Sequence, residues 1–275
     1  MTKQFLFLLI SVIFLMACDK GQSLEKTPSL ESGKSLSERQ IVDLSHAYSD
    51  KTVYWVTAKE FELDTVFKGQ TEKGYYYAAN NFSTAEHGGT HLDAPIHFAK
   101  GGQTVEEIPL EKLVGKAIKV DVTSKVLNNP DYLITSDDLM GWEQEHKMKI
   151  PEGSIVLLQT GFSRFYPDKE KYLGTSERGD HAVKELHFPG LSPEAAQWLV
   201  DNRSITAIGI DTPSIDYGQS EYFKSHVILL SENIPAFENL TNLDQLPSTG
   251  FDIVALPMKI EGGSGAPLRI VALIE

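Results

Sequence analysis

The stretch EHGGTHLDAPIHF, residues 86–98, constrains this chain more than any other feature of its sequence. Its ionisable residues His87, His91, Asp93 and His97 all occupy odd positions. Side chains of an extended backbone alternate between two faces, so these four would project to one side. A helix would also bring the first two histidines together, but the Gly-Gly pair and the proline disfavour a helix through the run. The sequence therefore predicts an extended or looped segment that directs several polar groups to one point.

Such a cluster is typical of a metal site. A single histidine is more often a buried, hydrogen-bonded residue than a ligand. Three histidines and one aspartate on one projected face favour the opposite interpretation. Nitrogen and carboxylate ligands suit a borderline divalent cation such as zinc, or manganese where carboxylates dominate. Thiolate ligands are not available to the folded domain, because the only cysteine is Cys18.

The complete string HGGTHLDAPIHF resembles the HxGTHxDxPxHF signature of the cyclase family, which includes bacterial kynurenine formamidases and isatin hydrolases. The resemblance extends from Asp43 to the glycine-rich turn near Gly262. It implies a single α/β domain of the cyclase-like fold, in which a mixed β-sheet curls toward a barrel with helices outside. It also implies a homodimer, since family members are commonly dimers.

The same resemblance implies a two-metal centre with distant ligands. In the family, a histidine and a glutamate twelve residues apart complete the site, and His226 and Glu238 have this spacing. Taken alone, Glu238 would be an ordinary solvated carboxylate. One ion would bind His87, His91, Asp93 and Glu238, and the other would bind Asp93, His226 and Glu238. His97 would stay off the metals as a general acid/base, and zinc is the favoured ion, with manganese as the alternative.

These groups predict metal-assisted hydrolysis. A bound cation lowers the pKa of water from about 15.7 to about 7. His97, with an ordinary pKa near 6.5, would accept the water's proton and return it to a leaving nitrogen. The expected reaction is cleavage of a C–N bond in a small amide or cyclic amide, with aryl formamides and isatin as family precedents. Two alternatives stay open: a lactone or ester hydrolase with the same centre, and a metal- or solute-binding lipoprotein without catalysis.

The first residues predict export and lipidation. Residues 5–16 form an apolar run too short for a membrane-spanning helix but typical of a secretory signal. LMAC at residues 15–18 resembles a bacterial lipobox, which predicts a signal peptide over residues 1–17 and a lipid on Cys18. Polar residues up to position 40 indicate a flexible tether, and residues 41–275 the hydrolase domain. Attachment to the outer face of a bacterial membrane, in the cell envelope, counts against a cytoplasmic catabolic role.

Composition sets limits on partners. The formal net charge is -13, whereas nucleic acids and anionic membrane surfaces are bound through clustered Lys and Arg. We therefore expect a small-molecule substrate, no nucleic acid, and membrane contact only through the lipid.

The rest of the chain alternates strands and helices, which favours an α/β fold. A family aromatic residue that lines the substrate pocket corresponds to Tyr54 or Trp55, with a purely structural core aromatic as the alternative. Residues 161–188 show no periodicity and predict a long loop, a candidate lid or dimer contact. Strands are predicted at 41–44, 75–80, 116–122, 154–160 and 205–210, helices at 136–143 and 192–200, and a hairpin turn at 262–265.

Overall fold

The structure, a computed structural model, describes Ser35 and residues 38–275. The strands are β1 (Gln40–Asp43), β2 (Glu62–Gln70), β3 (Tyr76–Ser83), β4 (His91–Asp93), β5 (Val114–Asp121), β6 (Leu133–Ile134), β7 (Ile155–Gln159), β8 (Gly190–Leu191), β9 (Ala207–Ile210), β10 (Ala236–Glu238), β11 (Phe251–Pro257) and β12 (Gly265–Ile274). The α-helices are α1 (Thr123–Val126), α2 (Ser136–His146), α3 (Lys169–Leu173), α4 (Pro193–Asn202) and α5 (Lys224–Ser231). The described residues do not include the predicted signal peptide, Cys18 or most of the predicted tether.

The main sheet closes on itself. Its order is β1-β12-β11-β5-β7-β9-β10-β4, and β4 also pairs with the first residues of β12, which joins seven strands into a ring. The neighbours β5, β7, β9 and β10 run parallel, and the remaining pairings of this sheet are antiparallel. The predicted mixed sheet curled toward a barrel, with helices outside, is thus confirmed.

Two apolar cores follow from the alternation of side chains along the barrel strands. In β7, Ile155 and Leu157 belong to the core inside the ring, while Val156 and Leu158 pack in the layer between the barrel and the helices. Because both faces are covered, β7 is apolar at consecutive positions, as is usual for buried parallel strands. The apolar side chains on the outer face of the barrel hold the helices against it.

The helix signals in the sequence act as predicted. Ser192 caps α4 through its hydroxyl, which accepts a hydrogen bond from Ala195 N, and Pro193 occupies the first turn. Helix α2 is capped by Thr135 and runs to His146, three residues beyond the predicted end, where Lys147 takes a left-handed conformation. Local capping chemistry therefore places these two starts correctly to within a residue.

Two features of the fold differ from the predictions. Residues 161–188 are not an irregular loop, because they contain α3 and two 3-10 helices, Phe162–Phe165 and Asp180–Glu185. Apolar residues of these helices pack in the layer between the barrel and the helices, but each helix is too short to produce a periodic pattern in the sequence. The strand β2 is absent from the prediction and pairs with β3 in a separate hairpin. Strand β1 includes Gln40, and Arg39 pairs with Asp252 at 2.7 Å, while the predicted domain boundaries stay a prediction. No helix among the described residues is long and apolar enough to cross a bilayer.

Candidate metal centre

The histidine stretch is assembled from three kinds of backbone. His87 lies in irregular backbone, His91 and Asp93 lie on β4, and His97 ends the 3-10 helix Pro95–His97. Alternation along a strand therefore explains only the shared face of His91 and Asp93. The chain turns before and after β4, and this brings the rings of His87 and His97 into a stack with centroids 3.8 Å apart. The predicted convergence is present, but a single extended run is not its cause.

The distant residues reach the same point through sheet register and helix packing. Strand β10 places Glu238 directly opposite His91, so both side chains leave the same face of the barrel. Helix α5 then carries His226 over this face, with its Nε2 3.0 Å from Asp93 Oδ2 and 3.1 Å from Glu238 Oε1. The fold thus brings together all five residues predicted as metal ligands.

The centre holds its two carboxylates away from water. The side chains of Asp93 and Glu238 are only 2% and 4% exposed, and each lies within 4.8 Å of a ring nitrogen of His91 and of the other carboxylate. Burial and the neighbouring Asp93 raise the pKa of Glu238. For His91, burial opposes the charged form, but Asp93 and Glu238 outweigh it and raise its pKa to about 8. Two adjacent buried carboxylates surrounded by imidazoles call for positive charge between them.

The outer hydrogen bonds of two histidines fix the tautomers that a metal ligand needs. His91 Nδ1 is 2.9 Å from the carbonyl oxygen of Gly89, and His226 Nδ1 is 2.6 Å from Asp216 Oδ2. An acceptor at Nδ1 places a proton on that nitrogen, so Nε2 is the nitrogen of each ring that faces the carboxylates and is left to bind a cation. Asp216 is the last residue of the string GIDTPSID at positions 209–216, but sequence reasoning gave this residue no role in the site.

His87 is oriented by a second chain of polar groups. Its Nε2 is 2.9 Å from Ser264 Oγ, which in turn donates to Glu86 Oε2 at 2.6 Å. This arrangement leaves His87 Nδ1 facing Asp93 Oδ1 at 2.6 Å. A lone pair and a carboxylate oxygen at that distance require a proton or a cation between them. Ser264 belongs to the predicted hairpin turn, which therefore has a role in the site as well as in the fold.

The donor set fits divalent cations. Nitrogen donors on His87, His91 and His226 and oxygen donors on Asp93 and Glu238 suit zinc or manganese, and buried acceptors support at least two of the imidazoles.

His97 has a different environment from the one expected. A ring nitrogen of His97 lies within 4.8 Å of ligand atoms of His87 and Asp93, so geometry permits a ligand role as well as a proton-transfer role. Burial, opposed by Asp93 and reinforced by the neighbouring histidines, lowers its pKa to about 4 rather than leaving it near 6.5.

Close packing at two glycines holds the ligands. A Cβ on Gly88, whose φ is +149°, would lie 2.0 Å from Cδ1 of Tyr54. A Cβ on Gly265 would lie 2.4 Å from Cε1 of His87 and 2.7 Å from the carbonyl oxygen of Leu92. No side chain fits at either position without moving the segment that carries His87.

A cavity of about 280 Å³ opens onto the carboxylates and both candidate aromatic residues. Tyr54 contributes a buried wall, and its hydroxyl bonds to Thr84 Oγ1 at 2.5 Å, so it serves the core as well as the cavity. Trp55 is half-buried and meets Phe223 edge-on, with ring centroids 6.0 Å apart. The rings of Phe223 and Phe98 also lie together, with centroids 5.3 Å apart. Neither phenylalanine was predicted as a cavity residue. His46, His181 and His187 do not line this cavity.

Known proteins resemble the chain over most of its length. The family described as "Putative cyclase" matches residues 42–217. Isatin hydrolase from Roseibium aggregatum is 31% identical, and the match covers 73% of this chain and 76% of that protein. Kynurenine formamidase from Salinibacter ruber is 30% identical, and the match covers 84% of this chain and 96% of that protein. The solved structure of isatin hydrolase A from Ralstonia solanacearum superimposes with a TM-score of 0.79 at 34% identity, covering 92% of this chain and 100% of that one.

The chain therefore belongs to the cyclase family. Like its relatives, it is a metal-dependent hydrolase, and the prediction of an enzyme rather than a non-catalytic binding protein is confirmed.

Proposed function

We propose that this enzyme hydrolyses a C–N bond in a small aromatic amide or cyclic amide. The observation that supports this most is the position of the buried carboxylate–histidine cluster at the base of a cavity with aromatic walls. Trp55, Phe98 and Phe223 offer flat apolar surfaces that suit an aromatic ring. Two similar proteins are named isatin hydrolase and kynurenine formamidase, which adds support for amide substrates.

Two divalent ions, zinc or manganese, would occupy the centre. His87, His91, Asp93 and Glu238 would hold one ion, and Asp93, His226 and Glu238 the other. Bound ions of this kind would supply Lewis-acid chemistry, since they would lower the pKa of water and polarise a carbonyl group. The chain itself positions the histidines through Asp216, Ser264 and the Gly89 carbonyl, and covers the site with apolar residues that exclude bulk water.

His97 would transfer the proton. Its ring lies at the cavity wall against His87, within reach of groups bound next to Asp93. As a neutral imidazole it can accept a proton from water and return it to the leaving nitrogen.

Metal content and turnover measured on the same samples test this assignment. The wild type should bind about two divalent ions per chain, and Asp93→Ala should lose both. His91→Asn should lose metal and activity together. His97→Asn should keep its metal while the rate falls by roughly 10²- to 10⁴-fold. His187→Asn, at an exposed histidine paired with Asp131, is the matched control and should change neither quantity. A wild type that folds but binds no metal would refute the mechanism.

A substrate panel tests the bond that is cleaved. Aryl formamides and isatins should be hydrolysed with a higher kcat/KM than lactones and aryl esters. The reverse order would favour the lactone or ester hydrolase that the same centre could support. Trp55→Ala should raise KM for the aromatic substrates and leave metal content unchanged.

We also propose that the enzyme is a homodimer formed through the β2–β3 hairpin. Both faces of this hairpin are exposed, including Phe67, Tyr76 and Phe82, which are 40%, 60% and 53% exposed. An isolated two-stranded hairpin is marginally stable in water, and an aromatic patch of this kind is typical of an interface. Tyr76→Lys should therefore give monomers in sedimentation experiments, whereas the control Tyr222→Lys should not. A monomeric wild type would rule this out.

Lipid attachment at Cys18, with a signal peptide over residues 1–17 and location in the bacterial cell envelope, is proposed from the apolar run at residues 5–16 and the LMAC string that follows it. Cys18→Ser should leave an unprocessed, unlipidated protein. Recovery of fully soluble wild type with residues upstream of Cys18 still attached would contradict the proposal.

A further inference from the structure

A second cavity, of about 360 Å³, lies at the carboxyl ends of the parallel strands β5, β7 and β9. Gln159 ends β7, Asp211 follows β9, and Thr123 and Asp244 come from the neighbouring segments. None of its lining residues lines the cavity over the metal centre. Ligands of α/β proteins commonly bind in crevices at the carboxyl ends of parallel strands.

Asp211 brings a buried negative charge to this cavity. Its side chain is completely buried and accepts hydrogen bonds from Thr160 N at 2.8 Å, Thr160 Oγ1 at 2.6 Å and Gly161 N at 2.8 Å. These neutral donors orient the carboxylate but bring no opposite charge. The ammonium of Lys119, which is nearby, bonds to the carbonyl oxygens of Leu243 and Leu246 instead. Burial raises the pKa of Asp211 to about 6, as expected for a carboxylate without a cationic partner.

Two other oxygens in the same cavity, unlike those of Asp211, have no hydrogen-bond donor. Gln159 Oε1 and Thr123 Oγ1 are shielded from solvent and have no hydrogen-bond partner within the described chain. Gln159 as a whole is only 7% exposed. An unpaired buried oxygen destabilises the fold, and a ligand that accepts its lone pair would offset this cost.

The candidate ligand atoms of this cavity are all oxygens. A buried carboxylate, an amide oxygen and a hydroxyl, with the exposed carboxylate of Asp244 at the rim, form a ligand set typical of hard cations. Arg164, the one cationic residue of the lining, is exposed and stacks on the ring of Phe165 at 4.6 Å, so it is held at the mouth. The size of the cavity leaves room for water molecules in the remaining coordination positions, which calcium accepts readily and which its flexible geometry permits.

We propose that this cavity is a second cation site, distinct from the catalytic centre, that binds a hard oxygen-liganded cation of the calcium type through Asp211, Gln159, Thr123 and Asp244. The cation connects the ends of three parallel strands and so stabilises the folded domain.

The experiment uses the full domain with its catalytic centre already loaded with zinc or manganese. Calcium is added alone, bound calcium is counted by equilibrium dialysis, and the melting temperature is followed. We expect about one calcium ion per chain. The melting temperature should rise by roughly 5 °C at a calcium concentration about 100 times the dissociation constant.

Three variants locate the ion. Asp244→Asn removes an exposed carboxylate that makes no ion pair among the described residues, and it should fold normally while its dissociation constant for calcium rises at least 10-fold. Gln159→Leu should likewise lose the melting shift. Asp137→Asn, at an exposed carboxylate on α2 outside the cavity, is the matched control and should bind calcium like the wild type.

Several results would overturn the proposal. Absence of calcium uptake would mean that the cavity holds only water. Equal calcium affinity in wild type, Asp244→Asn and Gln159→Leu would place the ion elsewhere. Loss of bound zinc or manganese in step with calcium uptake would assign the calcium to the catalytic centre.

Discussion

Asp216 is the residue whose replacement tests the metal centre most sharply without touching a ligand. Its Oδ2 accepts from His226 Nδ1 at 2.6 Å and from His226 N at 3.1 Å, and its Oδ1 accepts from Ser225 N at 3.1 Å. One carboxylate thus fixes the tautomer of His226 and also binds the first free backbone amides of α5. Asp216→Asn keeps the shape but removes the charge and one acceptor.

The size of the effect follows from these contacts. Loss of a carboxylate behind a ligating histidine usually weakens metal binding 10- to 100-fold, which corresponds to about 1.4 to 2.8 kcal/mol. The amide oxygen of Asn can still accept from one helix amide, so the metal-free protein should lose only about 1 kcal/mol of stability. Metal affinity should therefore fall by more than stability accounts for.

Chelator competition measures the metal affinity, and urea unfolding of the metal-free protein measures its stability. The control is Asp131→Asn, which removes a carboxylate 2.9 Å from the exposed His187 and should alter neither quantity. Metal affinity of Asp216→Asn within threefold of the wild type would show that His226 does not depend on this contact, and the assignment of His226 as a ligand would then lose its main support.

Three further outcomes are expected. Gly265→Ala should cost about 1–3 kcal/mol through overpacking and weaken metal binding, because the new methyl group displaces His87; unchanged metal affinity would show that the ring can move freely. Burial alone would raise the pKa of Asp138, but hydrogen bonds from Lys125 and neighbouring groups outweigh burial and lower it. The charged carboxylate should therefore stabilise the fold above its unfolded pKa of about 3.8. In urea titrations, the stability difference between wild type and Asp138→Asn should be full at neutral pH and shrink below about pH 4. Trp55→Phe should retain more affinity for aromatic substrates than Trp55→Ala in steady-state kinetics, and equal KM values would show that the ring does not contact substrate.

The sequence alone was enough to predict features that depend on residues close together in the chain. The Ser-Pro start of α4 and the apolar run of β7 needed only capping chemistry and burial to be predicted. The string around His91 and Asp93 carries the donors of a metal site within a few residues, bounded by glycines and a proline that exclude a helix. The turn between β11 and β12 was likewise visible from its glycines.

Other features depend on contacts between segments far apart in the chain. The register of β10 on β4 puts Glu238 opposite His91, and only the packing of α5 brings Asp216 and His226 to the same point. Spacing and family resemblance indicated His226 and Glu238, whereas sequence reasoning gave Asp216 no role. The short helices in residues 161–188 were missed because their apolar residues pack on a surface that the rest of the chain must first create.

The cavity beside Asp211 shows the same division most clearly. Gln159 and Asp211 are each ordinary polar residues at the end of a strand, and no pattern in the sequence relates them. Closure of the barrel brings both residues to one cavity and buries them, and burial is what makes the unpaired oxygen of Gln159 costly and so indicates a ligand. The sequence by itself determined which chemical groups the chain carries, and the tertiary structure alone decided which of them are buried together.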